Sequence, residues 1–153
     1  DKMIATWQPF LHEHADWKKL ITGITPKQNG CGTVYELPNY LHTPNESAAL
    51  VDMRTLAYVQ PHCHAFGMWE IQYVLEGSAE VIIGQETYQV HKGDFIIIPP
   101  EVAYYAFPDA NHILFCLNTP AFHPESYIVL EGDNHDHHFS QAAFEEALLK
   151  HQK

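Results

Sequence analysis

The sequence predicts an all-β protein built as a sandwich or a barrel. From Thr33 onward, short runs rich in β-branched and aromatic residues recur at regular intervals, and turn sequences containing Gly, Pro or Asp separate them. Many short strands at such spacing are typical of these two architectures. The predicted strands are Thr33–Leu37, Ala48–Val59, Trp69–Leu75, Ala79–Ile83, Glu86–Val90, Phe95–Ile98, Ala103–Ala106, Ile113–Asn118 and Tyr127–Leu130.

Short helices are predicted on either side of this β-rich region. The first covers residues 15–21, with Asp16 near its start. The second covers about residues 139–151, because Ser140 is a favourable N-cap and an apolar stripe follows it at helical spacing. The preceding segment, residues 132–138, is polar and rich in His, which predicts a solvated loop; the alternative is that its His-rich run binds metal adventitiously.

Composition limits the domain number and the class of partner. A chain of 153 residues predicts a single domain over residues 1–153, with a core barrel over about 33–130. The 8 Lys and Arg against 19 Asp and Glu give a formal net charge of −11, which disfavours binding to nucleic acid. Three widely spaced cysteines predict reduced thiols in a cytoplasmic protein rather than a disulfide framework. We expect no membrane association, since no apolar run approaches the ~18 residues of a membrane span.

The sequence His62-Cys63-His64, followed by Glu70 and Gly77, is the most informative pattern in the chain. Residues at i and i+2 of a strand point to the same face, so His62 and His64 project together while Cys63 faces away. A neighbouring strand that carries Glu70 would bring a carboxylate to the two imidazoles. Two His and one carboxylate form the ligand set of non-haem Fe(II) sites and of some Mn, Ni and Zn sites.

Strand alternation also suggests which residues surround these ligands. Gln72 shares the face of Glu70, and Tyr58 and Gln60 share the face of the two histidines, so all three are candidate substrate-binding residues. Phe95 and Ile97 are expected to form an apolar wall of the same cavity. These expectations assume unbroken strands, because a bulge would reverse them.

With these residues in view, the chain resembles the cupin superfamily. The first cupin motif is matched by the two histidines, Glu70 and Gly77, although Leu56 stands where the motif begins with Gly. The second motif is matched by Gly93 and Pro99, whereas Glu101 replaces its turn Gly and Tyr104 stands in place of its His. The resemblance implies a jelly-roll barrel (a double-stranded β-helix), a divalent ion such as Fe, Mn, Ni or Zn, and a homodimer.

Three roles for Tyr104 remain open at this point. The phenol could be a fourth metal ligand, a catalytic acid or base above a three-ligand metal, or the sign of a lost metal site. The resemblance accordingly implies a small metal-dependent enzyme of the dioxygenase, lyase or isomerase type that acts on a small polar metabolite. The alternatives are a non-catalytic module that binds a small molecule and retains part of a metal site, and, less favoured, a structural cupin.

Overall fold

The computed structural model describes residues 16–37 and 43–152, and within them the chain forms two antiparallel sheets. The six-stranded sheet has the order β1-β2-β3-β10-β5-β8 and the five-stranded sheet the order β11-β4-β9-β6-β7. The strands are β1 Lys27–Asn29, β2 Gly32–Glu36, β3 Ser47–Asp52, β4 Val59–His64, β5 Trp69–Glu76, β6 Ser78–Ile83, β7 Glu86–His91, β8 Phe95–Ile98, β9 Tyr104–Pro108, β10 Ile113–Thr119 and β11 Tyr127–Val129. The prediction of an all-β jelly-roll fold with a C-terminal helix is confirmed.

The core lies between the two sheets. Alternate residues of each strand point inward, and their side chains exclude water from the barrel interior. Its buried members include Val51, Val59, Val74, Val81, Ile98 and Leu114. A second apolar cluster lies on the outer face of the five-stranded sheet, where Phe139 and Phe144 cover Cys63, Tyr105 and Phe107.

Two features of the strand pattern differ from the prediction. The expected single strand Ala48–Val59 is two strands, because the chain turns after Asp52, whose carboxylate accepts a 3.0 Å hydrogen bond from the Arg54 amide. A new strand then begins at Val59 and carries both histidines. The short strand β1 was not predicted; it pairs with β2 as an antiparallel hairpin.

Gly77 shows why one turn of the barrel requires glycine. Its φ is +72°, a conformation that side chains disfavour. A Cβ at this position would also lie 2.6 Å from the backbone carbon of Asn111. The match to the first motif at this residue is therefore a steric requirement of the turn between β5 and β6.

The helices lie close to their predicted positions. Helix α1 is Trp17–Leu20, capped by Asp16, and is shorter than expected. Helix α2 is Gln141–Lys150, and the Ser140 hydroxyl accepts a 3.2 Å hydrogen bond from the Ala143 amide, as its N-cap prediction requires. The expected loop before α2 contains a 3₁₀ helix, His135–His137. Within the ranges described, no helix combines the length and apolarity needed to cross a membrane.

Candidate metal centre

A cavity of about 410 Å³ opens between the two sheets. The β1–β2 hairpin forms part of its wall, and β3, β4, β5, β9, β10 and β11 supply the rest. Five of the residues singled out from the sequence line this cavity together: His62, His64, Glu70, Gln72 and Tyr104.

Strand β4 places the two histidines in the cavity. His62 and His64 are 1% and 2% exposed, and Cys63 lies on the opposite face, as strand alternation predicts. The Gln60 carbonyl accepts a 2.8 Å hydrogen bond from Nδ1 of His62. That nitrogen therefore carries the proton, and Nε2 keeps its lone pair. Burial, with a further contribution from neighbouring His64, lowers the pKa of His62 to about 4, so its imidazole is neutral near pH 7.

Amide groups on two strands hold the Glu70 carboxylate. The side chain of Asn118 donates a 3.0 Å hydrogen bond to Oε1, and the side chain of Gln72 donates a 2.7 Å hydrogen bond to Oε2. Nε2 of His64 lies 3.7 Å from Oε1. The carboxylate is thus oriented beside one imidazole before any ligand binds.

Tyr104 lies on β9, directly opposite His62 of β4. Its ring is 2% exposed, and its hydroxyl accepts a 3.3 Å hydrogen bond from the Gln72 amide. Burial, reinforced by the nearby Glu70 carboxylate, raises the pKa of Tyr104 well above its usual value. The neutral phenol can donate a proton or a hydrogen bond, but it is a poor metal ligand unless a cation displaces that proton.

The donor set of His62, His64 and Glu70, called the triad below, fits a divalent metal ion. Imidazole nitrogens and an oriented carboxylate are suitable ligands, and Nδ1 of His64 is a buried polar atom with no hydrogen-bond partner among the described residues. The three ligand atoms do not, however, all lie within 4.8 Å of one another. Metal binding at the triad therefore requires side-chain movement.

Two of the expected pocket residues lie elsewhere. The expectation that Tyr58 lines the cavity is wrong: its ring packs 5.8 Å from that of Phe144 on the outer face of the sheet. Gln60 is also not among the residues that line the cavity. Its side-chain amide instead donates a 3.3 Å hydrogen bond to the hydroxyl of Tyr127, which does line it. The reason is a register irregularity between Val59 and His62, which interrupts the alternation from which both positions were inferred.

The residues of β8 that face the barrel interior are not the ones expected from the sequence, and they pack in the core rather than lining the cavity. Phe95 and Ile97 are 69% and 60% exposed, so the prediction that they line the cavity is wrong. Ile96 and Ile98 point inward instead, since they pair with Gln72 and Glu70 of β5. The sequence of β8 is apolar at every position, so its alternation alone does not identify the inner face.

Among the cavity residues that were not expected from the sequence, four lie close enough to the triad to affect its chemistry. Asn118 binds Glu70, as described above. Tyr127 stacks on His62 with ring centroids 4.2 Å apart. Cys31 and Cys116 also line the cavity, and burial, followed by the charge of Glu70, raises the pKa of Cys31 to about 12. Only the assembled strands bring these residues to the ligands, so no local pattern could have revealed them.

Comparison with known proteins agrees with this architecture. Residues 49–108 match the family model of the cupin domain. With the jelly-roll fold described above, this match identifies a cupin domain over residues 49–108. None of the curated proteins compared with the chain matches it in sequence.

Several solved structures share the fold. Pac13 of Streptomyces, a nucleoside dehydratase, in a structure with uridine, has a TM-score of 0.63 at 12% identity; the alignment covers 74% of this chain and 90% of Pac13. KdgF of Halomonas sp. has a TM-score of 0.52 at 22% identity, and the alignment covers 61% of this chain and 81% of KdgF. An RmlC-like cupin of Shewanella frigidimarina has a TM-score of 0.53 at 20% identity, and the alignment covers 65% of this chain and 86% of that cupin.

Proposed function

We propose that this protein is a metal-dependent enzyme that acts on a small polar metabolite in the cavity between the sheets. The observation that carries the proposal is the triad itself: two buried imidazoles and an oriented carboxylate face one cavity of about 410 Å³. That volume lies within the ~300–1,000 Å³ range of small-molecule sites. His62, His64 and Glu70 would hold an Fe, Mn, Ni or Zn ion.

The metal would supply Lewis-acid or oxygen chemistry, and the surrounding residues supply the rest. The Gln60 carbonyl fixes the tautomer of His62, so Nε2 faces the cavity as a lone-pair donor. Asn118 and Gln72 hold Glu70 in place. A three-residue ligand set leaves coordination positions open for substrate, which a catalytic site requires.

Tyr104 is proposed as a proton donor rather than as a ligand. Its phenol is neutral in this buried position and is held by Gln72, which also binds Glu70. Gln72 therefore joins the carboxylate and the phenol in one hydrogen-bonded group. Among the residues that the structure describes, none donates a hydrogen bond to the buried Oε1 atom of Gln72, which would let it accept one from a substrate N–H or O–H group.

The same residues are compatible with lyase, isomerase and dioxygenase reactions, which all use a substrate bound near a metal. Because the fold resembles that of a nucleoside dehydratase seen with uridine, nucleosides are the first compounds to test. Such a compound would stack against the aromatic pair of Tyr127 and His62.

The second candidate is a non-catalytic module that binds a small molecule and has lost part of its metal site. The separation of the triad's ligand atoms and the Tyr at position 104 favour this alternative. In that case, Gln72 and Tyr104 would bind the ligand without turnover.

Metal content distinguishes the two candidates. Tag-free protein is reconstituted anaerobically with Fe(II), Mn, Ni or Zn and compared with the His62→Ala/His64→Ala variant, with the exposed His135→Ala as a matched control. About one equivalent of metal, retained in the control and lost in the double variant, supports the enzyme. Equal metal content in the double variant and the parent contradicts it and leaves the binding module.

A further inference from the structure

A second group of metal-type donors lies on the outer face of the barrel. It consists of Cys63, Glu101 and His137, called the outer cluster below. One ligand atom from each residue lies within 4.8 Å of the other two, and in the part of the chain that the structure describes no other set of His, Cys, Asp and Glu meets this criterion. The outer cluster is separate from the cavity, since Cys63 points to the face opposite His62 and His64.

Three different elements supply the three donors. Cys63 is in β4 and is fully buried, Glu101 is in the turn between β8 and β9, and His137 ends the 3₁₀ helix before α2. The side chains of His137 and Glu101 are 20% and 49% exposed. The thiol is therefore the buried donor of the cluster, and the imidazole and the carboxylate are its partly exposed donors.

Hydrogen bonds to backbone carbonyls hold these elements together. Nδ1 of His137 donates to the Glu101 carbonyl at 2.7 Å and lies 3.6 Å from the Glu101 carboxylate. The amide of Ala103 donates to the His137 carbonyl at 2.8 Å. The Glu101 amide donates to the His64 carbonyl, also at 2.8 Å, so the turn is attached to β4 beside Cys63.

Glu101 has a backbone conformation that favours glycine. Its φ is +67°, in the left-handed region, and it occupies the position where the second cupin motif has Gly. A side chain here is unfavourable for the backbone, yet it projects a carboxylate toward a thiol and an imidazole. Strain of this kind concentrates at functional sites.

From this geometry we propose that the outer cluster is a zinc-type metal site, distinct from the triad. Sulfur, nitrogen and carboxylate oxygen are the donors that Zn²⁺ takes in proteins, and three of them leave a fourth position for water. Binding forms a metal–sulfur bond and releases the thiol proton to solvent. The ion would fasten the segment before α2 to the barrel and fix β4 directly behind the two cavity histidines.

Cobalt(II) is the probe that separates this site from the triad, because thiolate ligation to Co²⁺ produces a charge-transfer absorption. Co²⁺ is titrated anaerobically into the reduced protein. The band is expected in the parent, in His62→Ala/His64→Ala, and in Cys31→Ser/Cys116→Ser, which removes the cavity thiols. It is expected to disappear in Cys63→Ser.

A variant pair in the 3₁₀ helix tests the imidazole independently of the buried thiol. His137→Gln should weaken Co²⁺ binding at least about tenfold, given the effect of losing even an indirect partner of a metal ligand. The matched control His135→Gln, at an exposed position of the same helix, should bind as the parent does. With the triad removed by His62→Ala/His64→Ala in both proteins, Zn²⁺ should raise the melting temperature of the control but not of His137→Gln.

Each opposite result overturns the proposal. Those results are no band in the parent, a band that persists in Cys63→Ser, or equal affinities in the two helix variants. Should Cys63→Ser fail to fold, the helix pair decides the question. If His62→Ala/His64→Ala loses its metal and the parent shows no thiolate band, the result supports the proposed enzyme and rejects this second site.

Discussion

Asn118 and Glu70 lie directly opposite each other on strands β10 and β5, and the Asn118 amide donates a 3.0 Å hydrogen bond to the Glu70 carboxylate. The pair is nearly enclosed, since Asn118 is only 6% exposed. Partners of this type set the orientation of a metal-binding carboxylate without contacting the metal.

Asn118→Ala should therefore weaken metal binding at the triad by about 10–100-fold. The loss follows from a carboxylate that is free to rotate away from His64. Affinity is measured by competition with a chromophoric chelator. Asn111→Ala, at an exposed turn, is the control; an equal affinity in the two variants would show that Asn118 has no part in the site.

The role of Tyr104 can be read from two substitutions. Tyr104→Phe removes the hydroxyl that Gln72 binds but keeps the buried ring. If the phenol donates a proton, kcat should fall by about 10²–10⁴-fold while metal content is unchanged. Tyr104→His should bind metal more tightly and still turn over more slowly. A Phe variant that loses its metal would show instead that the phenol is a ligand.

His112 provides a pH-dependent contribution to stability. The residue is 1% exposed, and burial lowers its pKa despite the opposing charge of Asp109. Since the unfolded chain binds the proton more readily than the folded chain, stability is full above the unfolded pKa near 6.5 and falls as the pH drops toward the folded value.

His112→Gln should reduce this slope by less than the single-group limit of about 1.4 kcal/mol per pH unit. Free energies of unfolding in urea are compared between pH 7.5 and pH 5. Because the pKa of His62 is also lowered, the stability of His112→Gln should still decrease as the pH falls. The exposed His91→Gln variant is the control, and an unchanged slope in His112→Gln would contradict the prediction.

Alanine substitutions at Gly77 and Gly67 can distinguish the energetic cost of backbone strain from that of a steric clash. Their φ angles are +72° and +70°, but a Cβ at Gly77 would meet the Asn111 backbone at 2.6 Å, whereas at Gly67 it would meet nothing within 4 Å. Gly67→Ala should cost only the strain, about 1 kcal/mol. Gly77→Ala should cost more, about 2 kcal/mol or above. Thermal or urea unfolding measures both, and equal losses would mean that the turn adapts.

The shared orientation of His62 and His64 could be predicted from sequence because it depends on local geometry. In the pattern His62-Cys63-His64, the two-residue period of a strand separates the histidines from the cysteine, whatever the surrounding fold. The same period placed Gln72 beside Glu70. The prediction failed where the period is interrupted, at Tyr58 and Gln60, because a register irregularity precedes His62.

The remaining features depend on which strands become neighbours. Asn118 meets Glu70 only through the register of β10 on β5, and Tyr127 reaches His62 only because β11 pairs with β4. His137 comes close to Cys63 because α2 and the segment before it pack on the outer face of the sheet. The sequence by itself determined the alternation of side chains along each strand, since that follows from local backbone geometry. The tertiary structure decided which faces meet, because strand register and packing join residues distant in the chain.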